Sequence, residues 1–324
     1  MSEPVHLSRT DVLRLSAGAS GRAPIDVEAA LRRVLVEAEL GEAGQLTRTE
    51  LAPEGLPSVL GIMPGYRSAA PAAFAAKIVC VVPGNPAKGL PAHQGLVLLF
   101  DAESGALLAL ADAGAVTEIR TAALTALATR TLARRTEGRS LVVGGGHQAV
   151  AHLRALARLP HPLAVWARRP EQALEAAAAL ALEGVRVDAV TDLEGAVREA
   201  DVVTTVTGAP EPILRDEWLA PGTLLNAIGS STPRVCEVPE ATIRSAFLVA
   251  DDPDAALALS GELSRLAPPV PRPRSLGSLL RSGSLPVECE SRRIVFKSVG
   301  VPLQDLALAS ALHEAARQET GISP

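Results

Sequence analysis

Lys77 stands inside an otherwise apolar run, Phe74-Ala-Ala-Lys77-Ile-Val-Cys-Val-Val82. A buried ammonium without a partner is costly, so the lysine either guards an exposed sheet edge or has an anion to meet. Arg120 and Arg48 are the other cations whose settings stand out. Thr117 reads as a helix N-cap, which puts Arg120 in the first helical turn. A cation there opposes the helix dipole, and its position makes sense if an anion is brought to the same place. Arg48 lies between Thr47 and Thr49 on an expected strand. Guanidinium forks are well shaped to clamp a carboxylate.

A second group of residues points to a phosphate ligand. Val142-Val143-Gly144-Gly145-Gly146-His147-Gln148-Ala149 is a G-x-G-x-x-A pattern, preceded by an expected strand and followed by an expected helix. In that context Gly144 allows the tight turn, Gly146 lets the backbone approach a pyrophosphate, and Ala149 permits close helix–strand packing. The new helix offers free N–H groups at its start, where His147 and Gln148 also lie. The alternative is a glycine-rich structural turn. The next expected strand ends in Trp166-Ala167-Arg168-Arg169. NAD-specific domains usually place an acid there for the ribose hydroxyls; two arginines suit a 2′-phosphate instead. NADP(H) is therefore favoured over NAD(H), against the alternative that Arg168 and Arg169 are solvated surface charges. Thr205 and Thr207, at the end of a later strand, are further candidates to hydrogen-bond the dinucleotide, although threonine is also common in strands for structural reasons.

The elements that must hold these groups follow from periodicity. Ser8-Arg9-Thr10-Asp11 reads as a capping box before a short helix, and Asp26–Leu40 as a second helix with apolar positions at helical spacing. Leu46–Leu51, Ser58–Met63, Ala73–Val82, Gly95–Asp101 and Ala106–Asp112 read as strands. Turns such as Pro64-Gly65 and Pro83-Gly84-Asn85-Pro86 separate them and suggest an antiparallel sheet. A long alanine-rich helix runs from Thr117 to about Arg134. From Ser140 to Ala250, short apolar strands alternate with helices, the signature of a parallel, doubly wound sheet. Ala267–Arg274 is a proline-rich loop, and Pro302–Glu319 a final helix.

Composition bounds the rest. A length of 324 residues allows two domains, and with 2% aromatic residues the core must be built from Ala, Val and Leu. A net charge of −5 without a Lys/Arg-rich run argues against nucleic acid as a partner. No signal core or membrane-length apolar stretch is present, so a soluble cytoplasmic protein is expected. Cys80, Cys236 and Cys289 are scattered and odd in number, which fits free buried thiols rather than a disulfide framework or zinc site. His147 and His152 lack the spacing of a metal pair, and His93 reads as a loop histidine. No metal is expected.

Several segments together resemble the ornithine cyclodeaminase/mu-crystallin family, in that family's order and over nearly the whole chain. They are Met63-Pro64-Gly65-Tyr66, Lys77-Ile78, Gly95 to Asp101 with Ser104-Gly105, Thr117-Glu-Ile-Arg120-Thr-Ala-Ala123, and Gly144 to Ala149. Asn226-Ala-Ile-Gly229 and Phe296-Lys-Ser298-Val-Gly300 complete the set. The Thr-x-x-Arg-Thr-Ala-Ala block is the most specific of them. The resemblance implies an α/β fold with a Rossmann doubly wound domain at 118–300. It also implies an N-terminal α/β substrate-binding and dimerisation domain at 1–117, completed by the C-terminal helix at 301–324, and hence a homodimer. It implies that Arg120 clamps the substrate α-carboxylate, with Arg48 as the second carboxylate-binding arginine. Lys77 would contact substrate and assist proton movement, while Ser298 and Gly300 would border the cofactor.

One departure bears on activity. Where cyclodeaminases carry an aspartate, this chain has Ser231, in Gly229-Ser230-Ser231-Thr232-Pro233, and a serine is no general base near neutral pH without help. Ketimine reductase members also lack that aspartate and use NADPH. The expectation is an NAD(P)H-dependent reductase of small imine carboxylates to L-amino acids, with Ser231 beside the substrate. Ornithine cyclodeaminase, an amino-acid (alanine) dehydrogenase and a dinucleotide- or small-ligand-binding protein are the alternatives.

Overall fold

The computed structural model describes residues 3–17, 24–289 and 292–320. The chain folds as two units: residues up to 121 with those from 301 onward, and residues 122–300.

The first unit opens with β1 (Val5–Leu7) and α1 (Arg9–Ala17). The expected capping box is present between them. Asp11 N donates to Ser8 Oγ at 3.3 Å, and Ser8 N donates to the Asp11 carboxylate at 3.1 Å. Asp26 caps α2 (Val27–Glu39), accepting from Ala29 N at 2.9 Å, and Leu31, Val34 and Leu35 form the buried stripe of that helix. There follow β2 (Ala43–Gln45), β3 (Thr49–Leu51), β4 (Val59–Arg67), β5 (Ala73–Val81), β6 (His93–Asp101), β7 (Leu107–Asp112) and α3 (Ala113–Leu132). The sheet order is β1-β7-β6-β5-β4-β2, with β3 also on β4. All pairs are antiparallel except β1 with β7.

Three expectations are corrected here. Pro64-Gly65 is not a turn but the middle of β4. Pro64 O accepts from Leu46 N, so the missing N–H of Pro64 faces the gap where β2 has ended and β3 has not begun. A Cβ on Gly65 would come within 3.2 Å of Pro302, so glycine allows the close approach. Of the expected strand Leu46–Leu51 only the second half, β3, is strand; β2 ends at Gln45, and Arg48 lies in the linker between the two. Thr117 is not an N-cap. Asp112 caps α3 instead, taking Ala115 N at 2.7 Å, so Arg120 sits two turns into the helix.

The second unit begins within α3. It continues through β8 (Ser140–Val143), α4 (His147–Leu156), β9 (Leu163–Trp166), α5 (Pro170–Ala181), β10 (Val187–Ala189), α6 (Leu193–Glu199), β11 (Val202–Thr205) and β12 (Leu224–Ala227). Then come α7 (Glu240–Ser245), β13 (Phe247–Ala250), α8 (Pro253–Leu259), α9 (Gly261–Ser264), β14 (Arg274–Ser275), α10 (Leu276–Ser282) and β15 (Ile294–Lys297). The eight strands run parallel in the order β10-β9-β8-β11-β12-β15-β13-β14. The chain reverses its direction of growth between β8 and β11, the switch point of a doubly wound sheet. Strands β8, β11, β12, β13 and β15 are buried throughout, which explains their continuous apolar runs.

The last helix, α11 (Pro302–Thr320), belongs to the first unit. It lies over β4, β5 and β6 and beside α2. The sheet residues it covers, Met63, Ala75, Val97 and Leu99, are buried, as are Leu303, Leu306, Leu308 and Leu312 of the helix.

Candidate functional site

Register decides where Lys77 points. It pairs with Met63 of β4 and Val97 of β6, on the sheet face that α11 covers. The helix supplies the anion: Lys77 Nζ lies 2.8 Å from Asp305 Oδ2. Arg120 Nε donates to the other oxygen, Asp305 Oδ1, at 3.1 Å, and Arg120 Nη1 donates to Gln304 Oε1 at 2.6 Å. Lys77 Nζ also donates to Thr117 Oγ1 at 3.4 Å. Lys77, Arg120 and Asp305 are all buried, at 5%, 4% and 1% exposure. Lys77 is therefore no edge-strand gatekeeper; its strand is central and its charge is partnered. Burial pushes its ammonium down from 10.5 to about 8. Asp305 works against that shift, and the charges of Arg120 and Arg48 add to it.

Arg48 reaches the same neighbourhood from the β2–β3 linker, with Nε 2.9 Å from a Glu50 carboxylate oxygen. Its charge acts on both Lys77 and His93, the first residue of β6. Lys77 and Arg120 together carry one charge more than Asp305 neutralises. A buried excess of positive charge is costly, and a small carboxylate would balance it.

In the second unit the glycine pattern makes the turn from β8 into α4. Gly144 has φ +146°, and a Cβ there would come within 2.8 Å of Val206 Cγ2, so that position needs glycine. Gly146 is the N-cap of α4, no side chain caps the helix, and a Cβ at Gly146 would meet nothing within 4 Å. His147 is exposed, and Ala149 is fully buried against the sheet beside Val142 and Val165. Gln148 Oε1 is buried without a hydrogen-bond partner among the described residues. Arg168 and Arg169 are exposed just past β9, and among the described residues no carboxylate pairs with either. A nicotinamide dinucleotide fits this donor set. Its pyrophosphate suits the uncapped helix start.

Four other expected cofactor contacts are turned inward in this structure. Thr205 Oγ1 donates to Glu237 Oε2 and Thr207 Oγ1 to Glu237 Oε1, both at 2.8 Å. Ser298 Oγ donates to Asp251 Oδ2 at 2.7 Å and Gly300 N to the same oxygen at 3.0 Å. Ser231 is half-buried in the loop after β12, its N–H on Gly229 O at 3.1 Å. His152 is buried, with its ring on Thr125 Oγ1 and the Gln148 carbonyl, a structural role. Among the described residues no cluster of His, Cys, Asp or Glu could hold a metal ion, and no helix is long and apolar enough to cross a membrane.

Sequence reasoning missed Asp305, Gln304, Glu237, Glu262 and Asp251. The signal was available in part. Glu237 is a single acid between apolar residues, in Cys236-Glu237-Val238, and Asp305 is the one charge in Leu303-Gln304-Asp305-Leu306, much as Lys77 is a single cation in an apolar run.

Comparison with known proteins bears on these arrangements. The family model described as the ornithine cyclodeaminase/mu-crystallin family matches residues 18–320. The ketimine reductase mu-crystallin of Mus musculus is 37% identical over 257 residues, 79% of this chain and 80% of that protein. The Delta(1)-pyrroline-2-carboxylate reductase of Paracoccus denitrificans is 36% identical over 247 residues, 73% of this chain and 78% of that protein. Among solved structures, the Thermococcus litoralis Delta(1)-pyrroline-2-carboxylate reductase in complex with NADH and L-proline is 26% identical. It superposes with a TM-score of 0.86 over 99% of both chains.

Proposed function

Given that the chain belongs to the ornithine cyclodeaminase/mu-crystallin family, we propose that it is an NAD(P)H-dependent reductase of small imine carboxylates, such as pyrroline-2-carboxylate or piperideine-2-carboxylate, yielding L-amino acids. The observation that carries this reading is the buried Lys77–Asp305–Arg120 cluster with its excess positive charge. Arg120 keeps Nη2 for an incoming carboxylate while Asp305 and Gln304 hold its Nε and Nη1. Arg48 adds a third cation nearby.

Lys77 does the proton work. With its pKa brought down to about 8 it can be charged or neutral near neutrality, so Nζ can give a proton to the substrate nitrogen and regain one. Asp305 keeps Nζ in place. A bound nicotinamide supplies the hydride. The turn at Gly144–Gly146, Gln148 and the start of α4 would hold its pyrophosphate, and Arg168 and Arg169 favour NADP(H) over NAD(H). Ser231, where a cyclodeaminase would need an acid–base group, favours reduction over ornithine cyclisation.

The reading extends to assembly and location. The outer face of the first unit's sheet carries Ile62, Tyr66, Phe74 and Leu96, each 39–51% exposed. Tyr66 and Phe74 meet at 6.5 Å between ring centroids. An apolar sheet face of this kind suits a second copy of the chain, hence a homodimer. Three free cysteines fit a cytoplasmic setting.

The test is to follow NADPH and NADH oxidation with both cyclic imines, and NAD reduction with ornithine. Rapid NADPH oxidation with a cyclic imine is expected. The variant with Arg168→Ala and Arg169→Ala should lose most of the preference for NADPH, about tenfold or more. Proline formation from ornithine with NAD, without imine reduction, would overturn the proposal.

A further inference from the structure

We propose that Glu237 is a positioning residue, whose carboxylate fixes the backbone just beyond β11 and β12 in the shape that receives the nicotinamide half of the dinucleotide. This rests on the reading of the second unit as the dinucleotide-binding one.

The geometry is specific. Glu237 accepts four hydrogen bonds, two on each oxygen. Oε1 takes Thr207 N at 2.6 Å and Thr207 Oγ1 at 2.8 Å; Oε2 takes Thr205 Oγ1 and Gly229 N, both at 2.8 Å. That saturates an ionised carboxylate, which has about four lone-pair directions to offer. Two of the donors are backbone N–H groups, one from the turn after β11 and one from the turn after β12. A single buried side chain thus joins two adjacent strand ends. Gly229 shows how close they come: a Cβ there would lie 2.1 Å from Thr207 O and 2.6 Å from Glu237 Oε1.

The site these turns border follows from topology. The glycine turn after β8 takes the pyrophosphate, and β9, with Arg168 and Arg169 after it, lies on the adenosine side. Strands β11 and β12 lie on the other side of the switch point, where the second mononucleotide goes. Stability alone gives little reason for the arrangement. Glu237 and Glu262 are both buried, with one buried cation, Lys297, 3.3 Å from Glu262. Burial pushes the Glu237 carboxyl up from its ordinary value, a cost that apolar packing would avoid. Glu262 in turn accepts the backbone N–H of Glu237 at 2.9 Å, so the support is itself supported. What the network delivers is a fixed backbone, which is what a site must have to hold a flexible ligand in one pose.

The test compares binding of NADPH, NADH and the adenosine fragment adenosine 2′,5′-bisphosphate to the whole protein and to Glu237→Gln. Glutamine keeps the size but turns an amide NH2 toward a backbone N–H that cannot reverse. We expect the dinucleotide Kd to rise about tenfold or more, while the fragment Kd stays within about twofold because its subsite lies across the switch point. Thr205→Val, which removes one donor from the same carboxylate without changing charge, should show the same split to a smaller degree, and serves if Glu237→Gln fails to fold. Equal losses for fragment and dinucleotide, the mark of a merely structural role, would overturn the inference, as would unchanged affinity for both. A wild-type protein that bound neither dinucleotide would overturn the underlying reading, and the inference with it.

Discussion

Burial and ion pairing pull Lys77 in opposite directions. Desolvation favours the neutral amine, the Asp305 carboxylate favours the ammonium, and the balance falls near 8. Two consequences follow. If protonated Lys77 is needed for turnover, kcat/KM should fall as pH rises through about 8. Replacing Asp305 with Asn removes the charge that raises Lys77, so the same alkaline limb should move to lower pH. A pH–rate profile of Asp305→Asn that superposed on the wild type would remove Asp305 from this role. The linkage for stability has the opposite sense. The folded pKa lies below the ordinary 10.5, so between about 8 and 10.5 the unfolded chain holds a proton that the folded chain has released. Over that window this residue's contribution makes the fold more stable with rising pH, and below it the cost of the buried charge is felt in full.

At the scale of elements, α3 depends on a cap that lies outside its most distinctive sequence. Asp112→Ala removes the acceptor of Ala115 N and should cost about 1 kcal/mol of stability in denaturant titrations. Thr117→Ala should not cost a cap's worth, because Thr117 is inside the helix. The misreading has a physical cause. Ala113 to Val116 are apolar and continue the pattern of β7, so nothing in periodicity separates the end of the strand from the first helical turn. Much of the second unit was legible because its strands are buried on both faces, and their runs, Ser140–Val143 or Leu224–Ala227, stand out between helices. β2 and β3 were not, because three-residue strands carry almost no alternation. The Gly144–Ala149 turn and Lys77 stand out as candidate sites through their own composition. Asp305 was not: its partner is 228 positions away in the chain, and only the packing of α11 on β5 reveals the pair.

For the whole molecule, the first unit's sheet has two unlike faces. One is sealed by α11; the other presents Ile62, Tyr66, Phe74 and Leu96 to solvent. If a second copy covers that face, Phe74→Glu should convert a dimer to a monomer in light scattering while leaving the far-ultraviolet circular dichroism unchanged. A wild-type protein that is monomeric at micromolar concentration would remove the dimer from the proposal. The distribution of basic side chains has a practical side as well. Only three of the 31 are lysines: Lys77, Lys88 and Lys297. Lys77 and Lys297 are sealed inside the two units, and arginine does nearly all the work of surface charge. Amine-directed tags and crosslinkers therefore find one lysine, Lys88, on the folded surface, and reaction at either of the others reports opening of the unit that encloses it.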